Sequence, residues 1–573
     1  GIDVCGDVVM LGQRQNGVEF VDVSDPKHPA HIRVEKTSES QSTLYKDGIC
    51  YSGDWGMGEL TVIAAADMAA VEKLAVLKLR GYGDGLDAFG DRLYVSTGHH
   101  RRHPNAAGTS STSDAKDETG ADYGYGHALE IVDISDPSRP AALGRCAFDR
   151  FYRSGMDMWT PRVSGEGRYV FCADTYNGLY AVDAVDPAAP TVVGRITVPY
   201  ADGSDEAPSR PVTSVAVGDG VVYLASSGGG LAVATCPVAR ERAPKDETPP
   251  RQAGWRYPYG QRTFRHLRIA WRPESGGQVR SVAVGDAGHL YVAAGSSGLY
   301  VLGADFGELG HVDVPFCGDV KVRDGVLYSA ESREGLALYG LADPAHPQLS
   351  ARVTDFGSTL RAGGPIWVFA PEGTDRVILS EHGLSGYSVY NPAAGWTKRM
   401  GSVSGAPGWD KYVADEMSGG VLGANFRGAV SWLDLSGEKL VTTPVDGTLS
   451  AGLNSGICRY GDARCLLLAG GVVYTAVPGT GSPASWTQSE TKLKVDGTAL
   501  NGQPVWDGGH QLGLTHRINR TVAKIDLSDE AHPTVVWSES LDSFPDRAVF
   551  FNGKLVVPAG HQGVLVECAD SAK

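Results

Sequence analysis

The chain has 573 residues, among them 75 glycines and 31 prolines. That length exceeds what one compact core usually holds, so two domains are expected, and the absence of a long helical period points to an all-β repeat protein. A formal net charge of −16 argues against nucleic acid or an anionic membrane as partner, and no apolar run of about 18 residues is present to cross a membrane as a helix.

The chain opens Gly1-Ile2-Asp3, already strand-like and without a secretory leader, as expected of a trimmed or mature form. One pattern then recurs. An apolar strand is followed by Gly-Asp or Asp-Gly, a second strand, a short turn, a third strand ending in Val-Asp-x-Ser-Asp-Pro, and a fourth strand. Copies are Gly17-Val-Glu-Phe-Val-Asp-Val-Ser-Asp-Pro26, His127-Ala-Leu-Glu-Ile-Val-Asp-Ile-Ser-Asp-Pro137 and Gly178-Leu-Tyr-Ala-Val-Asp-Ala-Val-Asp-Pro187. Later copies at Gly298–Asp305, Gly335–Pro344 and Thr521–Asp529 are degenerate. Proline closes the third strand because it lacks the ladder donor and presets a turn. A period of roughly 40–50 residues is the length of one four-stranded propeller blade.

Counting third strands gives about seven blades up to Phe356 and about five beyond it. The expected fold is therefore an all-β β-propeller of four-stranded blades. A seven-bladed N-terminal ring would span 1–355 and a shorter propeller-like domain 356–573, with the boundary near Asp355-Phe-Gly-Ser358. A single larger ring, or a ring whose blade is completed by both termini, is the alternative. Most of the nine cysteines stand singly in strands and read as buried apolar residues. Cys458 and Cys465 are spaced for a bridge across a hairpin, which spacing alone does not establish.

Two insertions interrupt the repeat. The first lies within 96–130, between the strand-like segments Arg92–Val95 and Leu129–Ile134. It carries His99, His100, His103 and His127 with Arg101 and Arg102. A rigid scaffold with one enlarged, His- and Arg-rich loop is where chemistry is expected. The second runs from Arg240 through Arg251 to Trp255-Arg-Tyr-Pro-Tyr259. Its charged, Pro-rich half reads as a solvated loop, and its aromatic end as a wall for a sugar ring.

In a blade, the turn between strands two and three opens on the same face as the segment leading into the next inner strand. That rule puts Arg14, Trp55, the histidine loop, Tyr176, Glu331 and Arg333 on one rim. Tyr152, Trp159, Arg162, Arg210 and Arg280 lead into inner strands beside them. His382, Arg427, His516, Arg517 and His561 hold equivalent places in the C-terminal half. Such a rim suits an acidic carbohydrate, since aromatics stack on sugar faces and Arg forks onto carboxylates.

Three chemistries fit these residue types. Imidazoles of the loop could hold Zn, Cu or Fe. However, neighbouring residues of an extended segment face opposite ways, so His99 and His100 do not both face one centre, and no metal or other cofactor is expected. Paired carboxylates could hydrolyse a glycoside, with Asp54, Asp84, Asp87, Asp157, Asp174 and Glu331 as candidates, but nothing marks two of them as facing. The third is β-elimination on a uronic acid. It needs a cation to neutralise the carboxylate, a base for the C5 proton and an acid for the leaving oxygen at C4. Arg, His and Tyr supply these.

The blades, with Thr97-Gly98-His99-His100 and Gly126-His127, resemble LVIVD-repeat propellers and, among them, the propeller polysaccharide lyases: the ulvan lyases and the rhamnosyl-glucuronate lyases. The resemblance implies a secreted or periplasmic lyase that cleaves a rhamnose-α-1,4-glucuronate linkage in an acidic poly- or oligosaccharide. It implies His100 and His127 as the catalytic pair, with His99 competing for the place of His100. The tyrosine would be Tyr152, Tyr176 or Tyr200, and the arginine Arg162, Arg210 or Arg280. Trp159 and Arg333 would join Tyr200 in holding the sugar. The competing expectations are a glycoside hydrolase that releases rhamnose on the same scaffold, and a non-catalytic propeller that binds glycan or protein.

Overall fold

The structure is a computed structural model. It describes residues 1–55, 57–101, 127–148, 160–199, 209–226, 230–285, 288–354, 364–370, 376–380, 388–391, 396–399, 413–417, 420–424, 430–434, 441–444, 456–461, 464–477 and 486–568, with side chains for all of these except 98–101 and 380–444. The protein is all-β and of propeller type, built from antiparallel sheets whose strands lie in chain order in every sheet but one. Among the described residues no helix is long and apolar enough to cross a membrane.

The first sheet shows how sequence makes a blade. Ile2–Cys5, Val8–Gly12, Val18–Asp22 and Ala30–Glu35 pair successively. Alternation aims Val8 and Met10 at the core, and they meet Phe20, Tyr45, Cys50 and Ile63 of this sheet and the next. Burying each such large apolar side chain stabilises by about 1.5–3 kcal/mol. The Val-Asp-x-Ser-Asp-Pro signature is two Asx turns in succession. Asp22 accepts the Ser24 amide at 2.9 Å and Asp25 the Lys27 amide at 3.1 Å. The Asp133–Ser135 and Asp136–Ser138 pairs repeat this at 2.9 and 3.0 Å. Between third and fourth strands the register slips, at Phe20/Val21, Ile131/Val132 and Ala181/Val182 among others. Such bulges bend the outer strand and raise its twist.

The turn between second and third strands is a fixed device. Arg14 sits at φ 51° and Gly17 at φ 98°. A Cβ on Gly17 would fall 2.1 Å from the Glu35 carbonyl oxygen, so glycine is required. The left-handed residue then bridges to the segment that enters the next inner strand: Arg14 to Ser40, Thr175 to Val212, Gly295 to Cys317 and Gly560 to Val279. These bridges put the second turn of one blade and the start of the next on one face, as the sequence rule requires.

The chain separates into two compact units, Gly1–Tyr257 and Pro258–Lys573. Among the described residues the first holds five sheets and the second eight, seven of them four-stranded and one a two-stranded ladder. Sequence had placed the boundary near residues 355–358, in a stretch outside the described residues, with the larger ring first. The physical reason for the difference is a closure. Leu267–Trp271 pairs antiparallel with Val564–Glu567, so the start and the end of the second unit share one sheet. That was the alternative of a blade completed from both ends, here confined to one unit. The first unit has no such closure among its described residues. Its fifth sheet has three strands, Val212–Gly218, Val221–Ser226 and Gly230–Thr235.

From that sheet the chain runs back as a strap, residues 240–257. The Gly165 amide donates to the Arg240 carbonyl, Arg242 pairs with Asp87 at 2.9 Å, the Asp47 amide donates to Glu247, and the Tyr257 amide donates to the Ile32 carbonyl. Most of residues 240–251 are exposed, as expected of a solvated loop, yet Arg242 and Glu247 anchor the strap to the sheets it passes. All nine cysteines are free thiols. Cys458 pairs with Leu466 and Cys465 with Arg459, one register apart, which puts the two thiols on opposite faces.

Candidate functional site

The strand Arg92–Arg101 runs on through His99 and His100, with Arg101 opposite Gly81. Their backbones therefore extend the sheet rather than belong to a loop. The side chains of both, and all of His103, lie outside the described residues. His127, at the far end of the insertion, is wholly buried, and its Nε2 lies 2.8 Å from Oδ1 of Asp174, also wholly buried. The imidazole meets Phe148 edge-on at 5.7 Å, and Phe148 stacks on Tyr180 at 4.7 Å. Asp174 also accepts from Asn177 at 3.1 Å, and the Asn177 carbonyl accepts from Arg195. The pair braces the turn from Asp174 to Gly178. In this structure His127 is enclosed beside Asp174 rather than exposed on a rim.

The remaining predicted residues are divided between the units. Tyr176 is half-buried on the turn that His127 braces, and Arg210 is half-buried ahead of an inner strand. Arg162 is exposed, with its guanidinium on the neighbouring Pro161 carbonyl at 3.0 Å. Tyr152, Trp159 and Tyr200 lie outside the described residues. Arg280 and Arg333 belong to the second unit, where Arg333 is exposed on the short turn Ser332–Glu334.

The candidate acids are mostly tied down. Glu331 pairs with Arg352 at 2.6 Å and accepts from Tyr339 at 2.8 Å. Asp87 accepts the Val163 amide and pairs with Arg242. Burial lifts Asp54 to a pKa of about 6 against the pull of Thr61, Thr37 and Ser52. Asp84 differs: it is buried, and neither carboxyl oxygen has a hydrogen-bond partner. Burial pushes its pKa well up, Arg14 opposes and Glu39 reinforces. No facing carboxylate pair emerges among the described candidates. Asp157 lies outside them.

One residue of the second unit stands out, at the entry to an inner strand. The segment 272–280 connects the outermost strand of the closing sheet with the inner strand Ser281–Val284. The antiparallel bridge from Val279 to Gly560 sets Gln278 and Arg280 on one side of that segment, since alternate residues of an extended chain share a side. The Gln278 amide lies 2.9 Å from Nε2 of His561, while Nδ1 lies 3.3 Å from the Gly276 carbonyl oxygen. A carbonyl can only accept, so Nδ1 carries the proton and Nε2 presents its lone pair to the amide. Tyr259 stacks on the same ring at 5.4 Å.

Arg280 lies over Phe316 at 5.4 Å. Its Nε is enclosed without an acceptor, and no carboxylate pairs with it among the described residues. Burial, then the neighbouring charge of Arg517, draws its pKa down to about 10, with Asp546 and Asp319 acting the other way. Arg517 itself is matched, to Asp546 at 3.1 Å. Arg280 thus makes no ion pair with a carboxylate among the described residues, and a guanidinium in that state suits a carboxylate ligand. Sequence placed Arg280 on a rim with His127 and named His561 only as a rim residue. The bridge to Gly560 is what brings His561 and Arg280 together.

Two segments, 125–147 and 160–198, match the LVIVD repeat family. They cover the third and fourth strands of one blade and all four of the next. No curated protein matches the chain. Similar solved structures include the extracellular domain of BT3049 from B. thetaiotaomicron, described as part of a hybrid two component system, at 12% identity and a TM-score of 0.39 over 100% of this chain and 68% of that one. The extracellular domain of BT4673 from B. thetaiotaomicron, described as a one component system, gives 10% identity and a TM-score of 0.38 over 99% and 75%. U3-55K gives 13% and 0.39 over 53% and 98%. Likenesses of this size say nothing of what the chain binds.

Proposed function

We propose that the protein acts on an acidic glycan outside the cytoplasm, cleaving a rhamnose-α-1,4-glucuronate linkage by β-elimination. The observation that carries this reading is Arg280, a guanidinium at the entry to an inner strand of the second unit with no carboxylate of the described chain to pair with. A uronate carboxylate there would be held by charge-assisted hydrogen bonds, and its neutralisation acidifies the C5 proton. In this reading His561 is the base. Its Nε2, capped by Gln278 in the free protein, takes the C5 proton, the C–H electron pair becomes the C4=C5 double bond, and the C4–O bond breaks. The departing oxygen keeps the C4–O bonding pair and takes up a proton from solvent. No metal or redox partner enters the balance.

The test is incubation with gum arabic or ulvan while following the absorbance of the unsaturated uronate. A rising absorbance with new reducing ends is expected. Saturated products of one anomer would replace the lyase with a glycoside hydrolase. A second reading, glycan capture without turnover, is favoured by the enclosure of His127, the histidine that the family resemblance would make catalytic. Binding with no chain cleavage would establish that reading instead.

A further inference from the structure

The connection that delivers Arg280 begins with a second arginine of the same kind. Arg272 directly follows the outermost strand Leu267–Trp271. Its Nε is enclosed without an acceptor, and no carboxylate pairs with it among the described residues; even Glu274, two positions on, is exposed and makes no ion pair with it. The side chain lies in a cradle of two glycines. A Cβ on Gly260 would fall 2.4 Å from Nη1, and one on Gly563 would fall 2.4 Å from Cγ. Any other residue at either place would push the arginine aside.

Between the two arginines the connection is pinned from below. Ser275 Oγ lies 2.5 Å from Ser297 Oγ, the Gly277 amide donates to that same Ser297 hydroxyl at 3.0 Å, and the Gly276 carbonyl faces His561. The segment runs from the outermost strand of the closing sheet to the inner strand Ser281–Val284 of another sheet. Two half-buried guanidinium groups, with no carboxylate partners among the described residues, therefore mark the two ends of one pinned track.

We infer that residues 272–280 form a two-point anion rail, Arg280 at its inner-strand end and Arg272 at its outer-strand end, which takes successive acidic residues of a chain-like glycan. The inference rests on the reading of Arg280 as a uronate site and adds the class of substrate: a polymer in which carboxylates recur, not a neutral chain with one acidic end.

The test is calorimetric titration of the full chain with glucuronate and with uronate-containing oligosaccharides of increasing length, wild type beside Arg272→Gln and Arg280→Gln. Longer oligosaccharides should bind the wild type about ten- to a hundred-fold more tightly than the monosaccharide, the range for one further charge-assisted contact. Arg272→Gln should remove that gain, so that oligosaccharides bind no more tightly than the monosaccharide, whereas Arg280→Gln should weaken the binding of both. A second measurement needs no variant: oligosaccharide binding to the wild type should fall more steeply with salt than monosaccharide binding. Equal affinities for short and long ligands, equal salt slopes, or an Arg272→Gln protein that binds oligosaccharides like the wild type would overturn the rail while leaving Arg280 as a uronate site. Failure of every uronate to bind the wild type would remove that site and the rail with it.

Discussion

Nε2 of His127 lies 2.8 Å from Oδ1 of Asp174, and neither side chain has any exposed surface. A histidine at the edge of a large insertion is thus a tie between one blade and the turn of the next.

Breaking that tie should cost stability. Removing one partner of a buried pair leaves the other uncompensated, at about 3–5 kcal/mol. His127→Ala and Asp174→Ala should each fall in that range by denaturant unfolding, and the double variant should cost much less than their sum. Two additive losses would show that the residues act independently.

Asp84 gives a pH prediction with a definite sign. Its folded pKa is raised by burial above the unfolded value of about 3.9. The stability associated with the protonated form is full below the unfolded value and is lost as pH rises towards the folded one. Asp84→Asn keeps the shape without the charge. It should raise the melting midpoint at neutral pH and leave it unchanged near pH 3. A melting midpoint lowered at pH 7 would mean that the carboxylate has a favourable partner.

His561 carries the test of turnover. His561→Gln should lower kcat by about 100- to 10,000-fold, the usual contribution of a positioned base, with binding of an acidic oligosaccharide retained. Unchanged kcat would move the base elsewhere, for which His100 is the first candidate.

The strap offers a structural check. Arg242 reaches both Asp87 and the Ala88 carbonyl, and Asp87 is nearly enclosed. Arg242→Ala should cost about 1.5–3 kcal/mol, as for a hydrogen bond to a charged group, and should expose residues 240–257 to limited proteolysis. Unaltered cleavage there would mean that the strap is held by its other contacts.

The blade was legible because its signals are local. Val-Asp-x-Ser-Asp-Pro encodes a third strand and two Asx turns within ten residues, and the rule for which turns share a face follows from strand order alone. The repeat was therefore countable, and Arg14, Tyr176 and Arg280 could be assigned to blade turns and inner-strand entries. The division of the chain was not countable, because it depends on Leu267–Trp271 pairing with Val564–Glu567 at the opposite end of the second unit. No local pattern announces that partner.

The same distinction separates the two histidines. A conspicuous cluster of His and Arg marked the insertion at 96–130, yet sequence has no means of showing that an aspartate 47 positions away would enclose His127. Nor could it show that Arg280 would find no carboxylate among the described residues, since a missing partner is a property of everything that folds around a residue. Composition and repeat determined that this is an all-β propeller protein with basic residues on its blade turns. Packing between distant strands decided which of those residues are sealed in and which are paired, because burial and pairing are set by neighbours in space rather than along the chain.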